Sequence, residues 1–260
     1  IRLDRITNMI FVVTVILAMI LFVIDIMAFR GKFKDKRLIS ITWLLIAIAV
    51  WIFFNINTNY LFASDAFLEC FISYNAFMMI PIPIALFTYT CKENEKHDIM
   101  LLIIALCILN VIIQDILYLT DYVPLNSMLL ITHILILTTV LSGFMAHITD
   151  YRKEPSVLSR LYILAYAIPV AIMVFGLIAI WIFKAQRVNN LLSAGLLFFV
   201  ICLLIVVLFS IVDSVYEDRM KVRDLSLYHE MSVKDPLTEL GNRRAFDSEV
   251  ERVEKHAEGD

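Results

Sequence analysis

Charge is scarce in this chain. Asp, Glu, Lys and Arg make up only 18% of it, whereas 61% is hydrophobic; ordinary soluble domains carry roughly 25% charged residues, so a fold bathed entirely in water is excluded. Cysteine is scarce as well. Cys70, Cys91, Cys107 and Cys202 stand far apart without CxxC spacing, which indicates neither a zinc site nor a disulfide framework and leaves them as small polarizable core residues. GxxxG seams, cofactor motifs and internal repeats are missing. The net charge of -3 singles out no partner, and nucleic acid is not an expected one.

What the chain has instead is long apolar runs. Seven recur, from Ile6 to Phe29, Leu38 to Ile56, Phe67 to Tyr89, Ile99 to Leu119, Leu125 to Ile148, Leu161 to Phe183 and Leu191 to Val212. At 1.5 Å rise, about 20 helical residues cross a hydrocarbon core of about 30 Å. Backbone exposed to lipid must satisfy its own hydrogen bonds, and the runs lack the alternating polarity of barrel strands. The expected fold is therefore an all-α membrane protein, a seven-transmembrane helical bundle over residues 1–212, multi-pass in the inner (plasma) membrane with the lipid bilayer as its partner. The first run exceeds the usual signal-peptide core of about 7–15 residues and no small-residue cleavage site follows, so it is read as a retained span. Because the chain begins at Ile1 rather than Met, an upstream segment such as an extracellular domain is an open expectation.

Loop Lys and Arg residues concentrate on the cytoplasmic side of membrane proteins. Connections after the first, third and fifth spans carry ten: Arg30, Lys32, Lys34, Lys36, Arg37, Lys92, Lys96, Arg152, Lys153 and Arg160. The other side carries four, Arg2, Arg5, Lys184 and Arg187. This predicts an outside N-terminus and a cytoplasmic C-terminal segment.

Polar groups within a bilayer are costly and call for a partner or a purpose. Asp115, with Gln114, lies near the outer end of the fourth span, and His133 about two turns inside the outer end of the fifth. Together with Glu69, Asn75 and Asn110 they form a candidate outward-facing pocket for a ligand or a proton. The alternative is structural: Asp115 reaches the interface and His133 makes an interhelical hydrogen bond. Asp25, one turn before the basic loop, reads as snorkelling toward water or pairing with that loop. Pro81 and Pro83 in the third span, and Pro169 in the sixth, each remove a backbone donor and predict kinks.

After Val212 the sequence becomes charged but stays free of Gly and Pro up to Lys234, so the last span can continue as a cytoplasmic helix over 213–234. Leu208, Ile211, Val215, Val222 and Leu225 follow near-heptad spacing, with Asp218 and His229 at other seam positions. A helix this polar is marginal alone, which favours a homodimer through this signalling helix; a solvated amphipathic linker is the other option. Beyond it, Asp235 can cap a turn whose first residue is Pro236, Leu237 and Leu240 share a side, Gly241 suits a left-handed stop, and Asn242 can cap a helix carrying Phe246, Val250 and Val253.

Residues 235–260 open with Asp-Pro-Leu-Thr-Glu-Leu-Gly-Asn-Arg-Arg-Ala-Phe, which resembles the start of a GGDEF domain, the catalytic module of diguanylate cyclases. The family commonly opens with Asp-x-Leu-Thr-x-Leu-x-Asn-Arg-Arg, matched here by Asp235, Leu237, Thr238, Leu240, Asn242, Arg243 and Arg244 and followed by Phe246. Glu239 departs from the frequent glycine. The resemblance implies the first helices of a truncated α/β GGDEF domain, and an output that joins two GTP into cyclic di-GMP and pyrophosphate, with one GTP per domain of a dimer and Mg or Mn as cofactor of the complete domain. The signature loop, metal carboxylates and guanine contacts lie downstream in the family, so no catalytic or metal residue is assigned and the fragment itself is not expected to be active. Alternatives remain: a GGDEF domain kept as an inactive nucleotide receptor or followed by a phosphodiesterase domain; a sensor histidine kinase, faintly suggested by His229-Glu230 ahead of Pro236-Leu237 although the spacing is longer than in that family; and a transporter or channel.

Overall fold

The computed structural model describes residues 2–30, 35–55, 66–91, 98–181 and 189–233, with 246 and 250. Among these residues eight helices follow in chain order: α1 Arg2–Arg30, α2 Lys36–Asn55, α3 Ala66–Met79, α4 Pro81–Thr90, α5 Asp98–Leu119, α6 Leu125–Lys153, α7 Val157–Trp181 and α8 Asn189–Val233. No strand occurs among the described residues. Among the described residues seven stretches are long and apolar enough to cross a membrane, α3 and α4 together forming one of them, Phe67–Thr90. The protein is a multi-pass helical membrane protein.

Its polarity is arranged inside out. On α5 the buried residues Met100, Ile103, Cys107, Asn110, Val111 and Gln114 recur at helical spacing and include both amides, while Leu102, Leu106, Leu109, Ile113 and Ile116 are exposed. A helix in water would turn the amides outward. In hydrocarbon the exposed face costs nothing when apolar, and the amides must find partners within the bundle. On α2 the buried stripe Ile41, Leu44, Leu45, Ile48 and Ile52 follows the same period and faces the centre.

The third crossing is broken where two prolines fall. A regular helix would have residue 81 donate its N–H to the Phe77 carbonyl, but Pro81 has no N–H. Ile80 donates to that carbonyl instead, at 3.2 Å, and α3 ends at Met79 before α4 begins at Pro81. Pro169, by contrast, lies inside α7 without ending it.

The α5–α6 hairpin is set by its turn. Asp121 adopts a left-handed φ of 55°, its N–H bonding the Tyr118 carbonyl and that of Tyr122 the Leu117 carbonyl, a Schellman pattern that stops α5. α6 then starts after Pro124. This fixes the register that brings Gln114 against Thr132.

Contacts between α-carbons divide the chain into residues 1–207 and 208–260. The first unit holds the bundle: α1 packs chiefly on α2, α2 on α3 and α4, α4 on α5 and α6, and α6 on α7. Closest approach occurs at Gly143 of α6, where an added Cβ would stand 2.5 Å from Tyr166 Cε1 and 3.0 Å from Thr88 Oγ1. Tyr166 is fully buried, so its ring has nowhere to retreat. Gly143→Ala is expected to cost about 1–3 kcal/mol by overpacking and to lower the thermal unfolding midpoint in detergent; an unchanged midpoint would contradict this packing. In the second unit, residues 208–233 belong to α8, and Tyr216, Val222 and Leu225 expose their side chains.

Candidate functional site

The helix ends sort the buried polar groups into two clusters. One lies where α2 and α5 finish and α3 and α6 begin. There Asn75 Nδ2 donates to Asp115 Oδ1 at 2.9 Å and to the Phe71 carbonyl at 3.1 Å. Its neighbour Gln114 turns elsewhere: Nε2 donates to Asn110 Oδ1 at 2.7 Å, to Thr132 Oγ1 at 3.1 Å and to the Met128 carbonyl at 3.4 Å. Successive helical residues point about 100° apart, so Asp115 ties α5 to α3 while Gln114 ties it to α6.

His133 belongs to neither bond. Its Nδ1 lies 2.7 Å from the Leu129 carbonyl one turn back; a carbonyl can only accept, so Nδ1 carries the proton and a neutral ring has its lone pair on Nε2. The ring packs at 5.1 Å from Phe77, which packs at 5.1 Å from Trp51. These three rings, with Ser73, Tyr74, Leu129 and Leu192, line a cavity of about 140 Å³. Asp115 is not among its lining residues. A smaller void of about 30 Å³ continues from Phe77 and His133 toward Pro169, Ile172 and Gly195.

Of the residues singled out in sequence, the structure thus joins Asn75 to Asp115 and Gln114 to Asn110, and places His133 in the wall of a separate cavity. Glu69 stands half-buried in the first turn of α3, four residues before Ser73 and eight before Phe77, hence on their face of the helix. Of the wall residues sequence reasoning names only His133; for Ser73 and Phe77 the available signal is their helical spacing from Glu69, and Trp51, Tyr74, Leu129 and Leu192 carry none. Of the opening motif, Asp235, Leu237, Thr238, Leu240, Asn242, Arg243 and Arg244 lie outside the described residues, and Phe246 is helical and exposed.

The second cluster sits at the opposite end, where α2 and α7 begin and α4 and α6 finish. Asp35 caps α2, its Oδ1 accepting from the Arg37 backbone N–H at 2.9 Å in the N-cap manner. The Arg37 guanidinium returns two bonds from Nε, at 3.0 and 3.1 Å, and one from Nη2 at 2.6 Å. Burial opposes ionisation of Asp35, but these bonds prevail and hold its carboxyl below the ordinary value. Arg37 Nη1 also donates to the Tyr162 hydroxyl at 3.4 Å. Tyr162 bonds the Cys91 thiol, which burial pushes up to about 12, leaving it protonated and unreactive at neutral pH. Tyr162 stacks on His147 at 4.5 Å and 5°, and Tyr166 meets Thr88 through their hydroxyls at 2.8 Å. Asp25 accepts from Thr42 at 2.6 Å, so its bond here is to α2. This end ties α1, α2, α4, α6 and α7 together, whereas the cavity lies in the same half of the bundle as the first cluster. Compared with family models, curated proteins and solved structures, the chain matches none of them.

Proposed function

We propose that the chain is the membrane sensor of a diguanylate cyclase, in which the bundle controls synthesis of cyclic di-GMP from two GTP. The observation that carries this reading is the run from Asp235 to Phe246, eight family positions matched without a gap, directly after α8. Residues 235–260 would be the first helices of an α/β GGDEF domain, and the complete domain would use Mg or Mn. The ten-to-four distribution of loop cations supports an outside N-terminus and a cytoplasmic C-terminal segment, with the cavity beside His133 then in the outer half. Continuity of α8 from Asn189 to Val233 supports its role as a signalling helix, and exposed Val222 and Leu225 supply a face for a second copy. A change in crossing of two such helices would bring the half-sites together or hold them apart.

The test is to follow the coding sequence past residue 260 for Gly-Gly-Asp/Glu-Glu-Phe and to assay the full-length protein in vesicles with GTP and Mg. Cyclic di-GMP formation is expected. Nucleotide binding without turnover selects the receptor reading, and hydrolysis of added cyclic di-GMP the phosphodiesterase one. Phosphate transfer from ATP to His229, or solute flux through the vesicles, would replace the proposal by a kinase or a transporter. Single cysteines at Val215, Val222 and Leu225 are expected to give disulfide-linked dimers; no cross-link at any of the three rules out the paired helix.

A further inference from the structure

We infer that the cavity walled by Trp51, Tyr74, Phe77 and His133 binds a compact organic cation, an alkylammonium about the size of benzene. This deepens the sensory reading, on which its role as a signal rests, but binding itself needs only the bundle. Size comes first. At about 140 Å³ the cavity is close in volume to an engineered protein cavity of about 150 Å³ that accepts benzene, so a group of that size fits within it.

Chemistry follows from the walls. A cation is attracted to the faces of Trp, Tyr and Phe rings, and desolvated cages of such rings are the recurrent way of holding quaternary ammonium groups. Three such rings line this space, two of them, Trp51 and Phe77, packed with centroids 5.1 Å apart and planes tilted by 37°. The remaining polar groups suit the same charge. Ser73 is among the lining residues, and a hydroxyl oxygen can accept from or face a cation; the His133 Nδ1–H is turned to the Leu129 carbonyl. Among the described residues that line the cavity none is Lys or Arg.

Glu69 completes the arrangement. It lies one turn before Ser73 on the same face of α3, in the first turn of that helix, outside the residues that line the cavity, and by this proposal stands at the entrance. There a carboxylate draws cations toward the rings without itself being desolvated in the interior. An uncharged ring-shaped molecule would fill the same volume but gain nothing from Glu69, which is the point on which the two chemistries separate.

The experiment is calorimetric titration of the purified chain in maltoside micelles, which contain no ammonium group, with choline and with its uncharged isostere 3,3-dimethylbutan-1-ol. Choline is expected to bind at least about tenfold more tightly than the isostere, and Trp51→Leu and Glu69→Gln each to weaken it by about tenfold. Glu69 is only half-buried, so its variant keeps the test decisive where Trp51→Leu fails to fold. Equal binding of choline and isostere, choline binding untouched by Glu69→Gln, or no binding of choline at millimolar concentration would each overturn the inference. None of these results bears on the nucleotide output, which is assayed separately with GTP.

Discussion

Tyr166→Ala is expected to lower the stability of the bundle by about 3 kcal/mol, the cost of emptying a site shaped around a large aromatic ring. The ring is fully buried, lies 5.1 Å from His147 and 5.2 Å, edge-on, from Phe199, and rests on Gly143. Truncating a large aromatic in a water-soluble core costs about 3–5 kcal/mol through lost transfer and an unfilled cavity. In a membrane the transfer part is weak, since lipid is as apolar as the core, and lost packing dominates. This places the expectation at the low edge of that range. Tyr166→Phe deletes only the hydroxyl. Thr88 keeps its own bond to the Ile84 carbonyl at 3.1 Å, and interhelical hydrogen bonds in membranes average about 0.6 kcal/mol, so the phenylalanine variant should lose well under half as much.

Two measurements check this. Unfolding curves in a denaturing detergent, followed by circular dichroism, should separate the alanine from the phenylalanine variant; equal losses would mean that the hydroxyl, not the ring, holds α4, α6 and α7 together. Combining Tyr166→Ala with Gly143→Ala should be strongly non-additive, because the added methyl then meets the space the ring has left.

Arg37→Ala is the second large effect, with an expected loss of about 2 kcal/mol at neutral pH. The Arg37 and Asp35 side chains are each 21% exposed, between a surface pair worth about 0–1 kcal/mol and a buried one whose disruption costs about 3–5 kcal/mol. The pH dependence is more diagnostic than the size. The folded-state value of Asp35 is lowered from 3.8, so its contribution is fully present above 3.8 and is lost as pH falls through the folded value. Wild-type stability should therefore rise with pH across this acid window. Arg37→Ala removes the guanidinium's bonds and charge but keeps the residue-37 backbone N–H on Asp35 Oδ1, so the carboxyl's folded value rises relative to wild type and the slope contributed by Asp35 shrinks. Parallel pH profiles for the two proteins would show that Arg37 does not govern this carboxyl.

The spans are legible in the sequence because length and apolarity are local properties. The third run, read from Phe67 to Tyr89, is present as Phe67–Thr90, and Pro81 marks its interruption because a missing N–H needs no tertiary information. Partner choice is harder. Asp115 and His133 stand at similar depth on neighbouring helices, yet depth does not fix rotation about the helix axis, and rotation sends Asp115 to Asn75 and His133 to Phe77. The link from Arg37 to Tyr162 spans 125 residues, and no periodicity encodes it. Trp51 is hidden because an aromatic in an apolar run carries no polar mark. For residues 235–260 the signal is the motif itself, a matter of residue identity rather than of fold.

The break at Ile80 also bears on how the protein meets membranes of different thickness. A continuous crossing longer than the hydrocarbon layer must tilt as a whole, and tilting drags its packing partners with it. Here Ile80 already serves the Phe77 carbonyl and Pro81 has no N–H to surrender, so folding at this point sacrifices no further hydrogen bond. The half below the break is anchored by Thr88 to Tyr166 and the half above it by Asn75 to Asp115. A thinner bilayer is therefore expected to change the angle between α3 and α4 at Ile80, beside Phe77 and the space it walls.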